Sequence, residues 1–154
     1  MTPRTPPLPR TLLVVARSFD ERLTAQRVAA AIASGLEAEG WPTDLCPIDS
    51  GEAPPAGSAG RVRALLDDLD FDARMRAARA VILAERRLQE DTLAGSAAFE
   101  IATRARQAGV PAYAVTAANR LDSFDARILD LQAILEAGSA RSLRAAGHRL
   151  AGLL

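Results

Sequence analysis

The chain has 154 residues, 49% of them apolar and 25% charged, proportions of an ordinary one-core globular domain that exclude wholesale disorder and a fibrous architecture. Its 19 basic and 19 acidic residues cancel, so no bulk field favours nucleic acid or an anionic bilayer as a partner. All the basic residues are arginine, which removes a phosphate-gripping lysine, a Schiff-base lysine and a lysine general base, and the lone Cys46 and lone His148 cannot form an internal disulfide or a Cys/His zinc site.

Met1 to Arg10, broken by prolines, reads as a flexible tail ahead of a single domain over residues 11–154. No span approaches the roughly 20 apolar residues a bilayer requires, and a soluble, cytoplasmic protein in a reducing compartment is expected. The continuous apolar run TLLVVA from Thr11 predicts a strand buried on both faces. Thr24 offers an N-cap, and Val28, Ile32 and Leu36 at i, i+4 and i+8 predict a helix to about Glu39, with Gly40 at its end. WPTDLCPI predicts a strand bracketed by Pro42 and Pro47, and GEAPPAGSAG reads as a loop.

Beyond that loop, Val62, Leu65, Leu66 and Leu69 have helical spacing, and a short helical stretch follows around Phe71 and Met75. Ala80 to Ala84 predicts a further strand, as well marked as the first, Ser96 to Gln107 a helix ending at Gly109, and VPAYAVT from Val110 another strand. LQAIL at Leu131 to Leu135 fits either strand or helix, and Ser139 precedes a last helix carrying Leu143, His148, Leu150 and Leu153. Strands alternating with helices imply crossover connections. The expected fold class is therefore a three-layer α/β/α Rossmann-like domain on a mainly parallel sheet of about five strands. Ligands in such sheets gather beyond the carboxyl ends of the strands, here the loops after Ala16, Ile48, Ala84 and Thr116.

Three of those loops resemble the bacterial glycerate kinase family. RSFDERL at Arg17 to Leu23 is similar to the family's DSFKGSL between a strand and a helix. AERRLQEDTLAGS, from Ala84, is similar to its GEGRLD, a threonine-leucine step and GK, followed by a helix and GVP. IDSGEA after the second strand is similar to DGGEGT. The resemblance implies a Rossmann-like half of an enzyme whose members carry a second, inserted domain after the DGGEGT region, with the active site between the two. Here only the proline-glycine loop from Glu52 to Val62 occupies that place.

Residue by residue, the family's lysine corresponds to Asp20, the glycines of GEGRLD to Ala84 and Arg86, and its terminal carboxylate to Gln89, while Glu85, Arg87 and Leu88 persist. In the third motif Asp49 and Glu52 persist, Gly51 matches one glycine, and Ser50 and Ala53 stand at the others. Phosphoryl transfer depends on positioning and on compensating charge spread over phosphate oxygens, and loss of one such donor typically costs on the order of 10² to 10³ in rate. The expected function is thus a glycerate kinase-like protein without efficient phosphoryl transfer, acting as a small-ligand-binding or interaction domain. The alternative is an ATP-dependent glycerate kinase whose cleft a partner chain completes; ATP and Mg enter as cofactors only in that case.

The candidate ligand-binding residues are Arg17, Ser18, Asp49, Gly51, Glu52, Glu85, Arg86 and Arg87, for a small carboxylate or phosphate. Arg17, Arg22, Arg86 and Arg87 fall on two loops expected to meet above the sheet. Because Asp20, Glu21, Glu85, Glu90 and Asp91 share those loops, a solvated mixed-charge surface outweighs an anion grip on charge balance. A homo-oligomer burying the rim left by the missing half is a further expectation. His148 lies far from every matched loop, Cys46 reads as a small buried hydrophobe, and Trp41 reads as a cover for the core edge.

Overall fold

A computed structural model describes residues 10–48, 59–89 and 96–154. The tail before Arg10, most of the proline-glycine loop and the EDTLAG stretch lie outside the described residues. In chain order the elements are β1 (Thr11–Arg17), α1 (Ala25–Ala38), β2 (Thr43–Ile48), α2 (Ala59–Asp68), α3 (Phe71–Arg76) and β3 (Ala78–Leu88). They continue with α4 (Ala97–Ala108), β4 (Ala112–Asn119), α5 (Ser123–Leu129), β5 (Leu131–Glu136) and α6 (Ala140–Ala151). The strands form one sheet in the order β2-β1-β3-β4-β5, and every neighbouring pair is parallel. This is the expected three-layer Rossmann-like fold.

The apolar run of β1 is divided between two cores by its alternation. Leu12, Val14 and Ala16 face α1 and α6, where they pack with Val28, Ile32, Leu36, Leu143 and Leu150. Leu13 and Val15 face the other layer, with Leu66 of α2, Phe71 and Met75 of α3 and Ile101 of α4. Helix starts follow the side chains that can accept from free amides: Thr24 Oγ1 takes Arg27 N–H, Ser96 Oγ takes Phe99 N–H, and Ser139 forms a capping box with Ser142. Gly109 ends α4 in the left-handed region at φ 71°, where a side chain would be strained. Cys46 is buried and free, and Trp41 packs against the edge of the α1–α6 core.

The structure departs from the sequence reading in four places, the smallest being Leu153, which lies past the end of α6 at Ala151. β3 does not stop at Ala84: Glu85, Arg86, Arg87 and Leu88 continue the strand, so this stretch of the family motif is not loop. The reason is backbone pairing with an equally extended β4, with Arg87 beside Ala118 and Leu88 beside Asn119, while Leu88 is only 1% exposed. β4 starts at Ala112 because Pro111 has no N–H to give the ladder; its carbonyl still accepts from Val81. α5 was not foreseen, and the ambiguous LQAIL segment is the edge strand β5. Among the described residues no helix is long and apolar enough to cross a membrane.

Candidate functional site

The chain leaves β1 for β2 on one side and later returns to β3 on the other, so the strand order reverses between β1 and β3. That crevice at the carboxyl ends is where doubly wound sheets take ligands. Ala16 pairs with Ala84, which sets Arg17, the last residue of β1, next to Glu85 of β3. Arg17 Nη1 stands 3.7 Å from Glu85 Oε1, with the two side chains 19% and 16% exposed. Oε1 itself is fully enclosed and accepts no hydrogen bond.

Burial raises the Glu85 carboxyl above its ordinary value; the Arg17 guanidinium and the Ala98 backbone N–H in the first turn of α4 oppose the rise. Burial is the larger effect, and the Arg17 guanidinium offsets only part of it, its Nη1 standing 3.7 Å from Oε1. The site therefore holds a cation and, beside it, an enclosed carboxyl whose value burial raises.

The loop after β1 is organised by Asp20. Its Oδ1 accepts from the amides of Leu23 at 2.7 Å and Arg22 at 2.8 Å, and these bonds, Leu23 first, hold its carboxyl below the usual range. Phe19, 4% exposed, anchors the same loop in the core, and its amide donates to the Leu23 carbonyl. Arg86 is near enough for its guanidinium to contribute to lowering Asp20. The loop and the end of β3 thus come together as expected, but as strand end and turn rather than as two loops.

Ser18 is exposed at the start of the turn, and Arg86 and Arg87 are exposed on β3. Asp49, Gly51 and Glu52 lie outside the described residues. Thr116 marked only a strand end in the sequence, and its hydroxyl was overlooked: the residue is wholly buried, and the hydroxyl faces the carbonyls of Arg86 at 3.1 Å and Ala118 at 3.2 Å, tying the extension of β3 to β4. The available signal was a hydroxyl closing the apolar run AYAV.

Of the side chains set aside earlier, Cys46 has its thiol pushed up by burial, which disfavours the thiolate. His148 Nδ1 lies 3.1 Å from Glu39 Oε1, linking α6 to the end of α1 and not to the crevice. Among the described residues no three Asp, Glu, His or Cys side chains converge as metal ligands. Asp20 Oδ1 is committed to backbone amides and Glu85 stands alone beside Arg17, so the described part of the crevice offers no carboxylate cluster to hold a Mg-nucleotide.

The sheet order and this crevice define a doubly wound, Rossmann-like α/β domain. The glycerate kinase family model matches residues 55–149, more than half of the chain, and the chain belongs to that family. The match includes Glu85 to Arg87 but starts after Arg17, Asp20 and Asp49 to Glu52. No curated protein matches the chain. A solved structure of a protein described as pilus assembly-related, from Burkholderia pseudomallei K96243, aligns over 93% of this chain and 90% of its own, with a TM-score of 0.50 and 17% identity, a likeness of fold alone. A de novo designed Rossmann 2x3 fold protein aligns over the same shares at a TM-score of 0.49 and 11% identity.

Proposed function

We propose that this glycerate kinase-like domain binds a small carboxylate at the β1/β3 crevice and does not carry out efficient phosphoryl transfer. The observation that carries the reading is the enclosed Glu85 Oε1 with no hydrogen-bond donor, set beside the Arg17 guanidinium. Buried polar atoms are nearly always satisfied, and an orphan at a switch point is an invitation to a ligand group. A carboxylate would take Arg17, and a neighbouring hydroxyl on the same small molecule would satisfy Glu85. Ser18, Arg86 and Arg87 form the exposed rim, to which Asp49, Gly51 and Glu52 would add from the loop after β2.

Weak phosphoryl transfer follows from the same residues. The position that matches the family's lysine carries Asp20, whose carboxylate holds a turn closed, and the chain contains no lysine to replace that cation. Residues 11–154 act in this reading as one domain.

Two measurements test it. Titration calorimetry with glycerate is expected to show heat that disappears in Arg17→Ala; no heat from glycerate at millimolar concentration, or heat that persists in Arg17→Ala, refutes the binding site. A coupled ADP-release assay with glycerate and Mg-ATP is expected to show negligible turnover. A rate of about 1 per second or more, inside the usual kinase range of roughly 1 to 100, refutes the loss of activity.

A further inference from the structure

We infer that a second ligand site lies at the opposite end of the sheet, a cavity lined by Arg10, Arg76 and Arg79 that takes a small molecule bearing a diphosphate group. The cavity has a volume of about 450 Å³, within the range of small-molecule sites, and is closed by Ala78 and by Gly109 to Pro111 between α4 and β4. It opens at the amino ends of β1, β3 and β4. From Arg79 to Glu85 the strand advances six residues, or about 20 Å at a strand's usual rise, so the two sites are separate.

Three features point to an anion. No acidic side chain lines the cavity, although acids and bases are equal in number over the whole chain. None of the three arginines has an ion pair or side-chain hydrogen bond with a described residue, whereas Arg74, on the same helix as Arg76, and Arg104 of α4 are tied to carboxylates. The third is the backbone of β3. Thr11 pairs with Ala78 and Leu12 with Ala80, which leaves Arg79 as the extra residue of a bulge. Bulges re-aim a side chain at the rim of a sheet, and this one sits where the guanidinium joins Arg10 and Arg76.

Unpaired like charges in one concavity repel, and the arrangement becomes favourable when a multiply charged anion fills it. Guanidinium groups bind phosphoryl oxygens through paired N–H donors, and three of them match the charge of a diphosphate better than that of a single phosphate. In the adjoining cavity Arg106 lies with Asp130, but its Nη1 already donates to the Ile128 carbonyl, so it is not counted among the anion's partners.

Calorimetry of the intact chain at low salt, with inorganic pyrophosphate, ADP and orthophosphate as separate probes, tests the assignment. Pyrophosphate and ADP are expected to bind in the micromolar range and orthophosphate far more weakly. Because all three arginines are exposed, Arg76→Ala and Arg79→Ala should fold normally by circular dichroism and bind pyrophosphate about tenfold or more weakly, the scale of a lost charge-assisted pair. Arg17→Ala should bind pyrophosphate as the parent chain does, which separates this site from the crevice. No binding of pyrophosphate, equal binding of orthophosphate, or undiminished binding in folded Arg76→Ala and Arg79→Ala overturns the inference. So does a short RNA that displaces pyrophosphate at equal phosphate concentration, which would make the surface a nucleic-acid contact.

Discussion

Glu85 and Thr116 show how two side chains set the terms of the crevice. A carboxyl whose value is raised in the folded state binds its proton more tightly there than in the unfolded chain. Its contribution to stability is therefore complete below the ordinary glutamate range and is lost as pH rises through the elevated folded value. Glu85→Gln, which keeps the shape without the charge, is expected to raise the melting temperature relative to the parent, by a margin that widens from pH 4 to pH 8. A margin that is flat or shrinks with pH in thermal melts contradicts the enclosed-carboxyl description. Thr116→Val keeps the volume and deletes the hydroxyl that bonds the Arg86 carbonyl, a loss of about 1 to 2 kcal/mol in urea unfolding. Thr116→Ser should recover most of it.

The tightest packing between elements is the crossing of α1 and α6. Gly35 and Gly147 face each other there: a methyl group on Gly35 would come within 2.1 Å of the Arg144 carbonyl oxygen, and one on Gly147 within 2.2 Å of that of Ile32. Both obstacles are backbone and cannot rotate aside. Gly35→Ala and Gly147→Ala are each expected to cost about 3 kcal/mol or more by denaturant unfolding, near the upper end of overpacking penalties. Gly138→Ala meets only the Ala117 methyl at 3.7 Å and should change stability by less than about 0.5 kcal/mol.

These helices were readable because Val28, Ile32 and Leu36 repeat at helical spacing and Thr24, Ser96 and Ser139 cap. α5 was hidden for the opposite reason. It buries only Asp125 and Leu129, while Phe124 and Ile128 are 69% and 42% exposed, so no apolar stripe marks it. The end of β3 was hidden because Arg86 and Arg87 turn to solvent beyond the helical cover, and only their backbone pairing with β4 makes them strand.

For the molecule as a whole, a single parallel sheet supplies one face to each of two cores, and neither core can lose its strands without exposing the other. Residues 11–154 are therefore expected to unfold in one transition. Far-ultraviolet circular dichroism and the fluorescence of Trp41, which reports on the α1–α6 side, should give the same midpoint; separate midpoints would divide the chain into independent units. The crevice is partly legible in the sequence, since RSFDERL follows the run that forms β1 and AERRL lies in the carboxyl-terminal part of β3. What the letters could not carry was register: the meeting of Arg17 with Glu85 depends on Ala16 lying beside Ala84, a relation set by pairing across the sheet. Nor could they show that Asp20 fastens the Arg22 and Leu23 amides. That fastening ties the charge at position 20 to the shape of the loop. A lysine at position 20 would bring a positive charge to the crevice but unlatch the turn meant to present it, so no single substitution gives this loop both the cation and its shape.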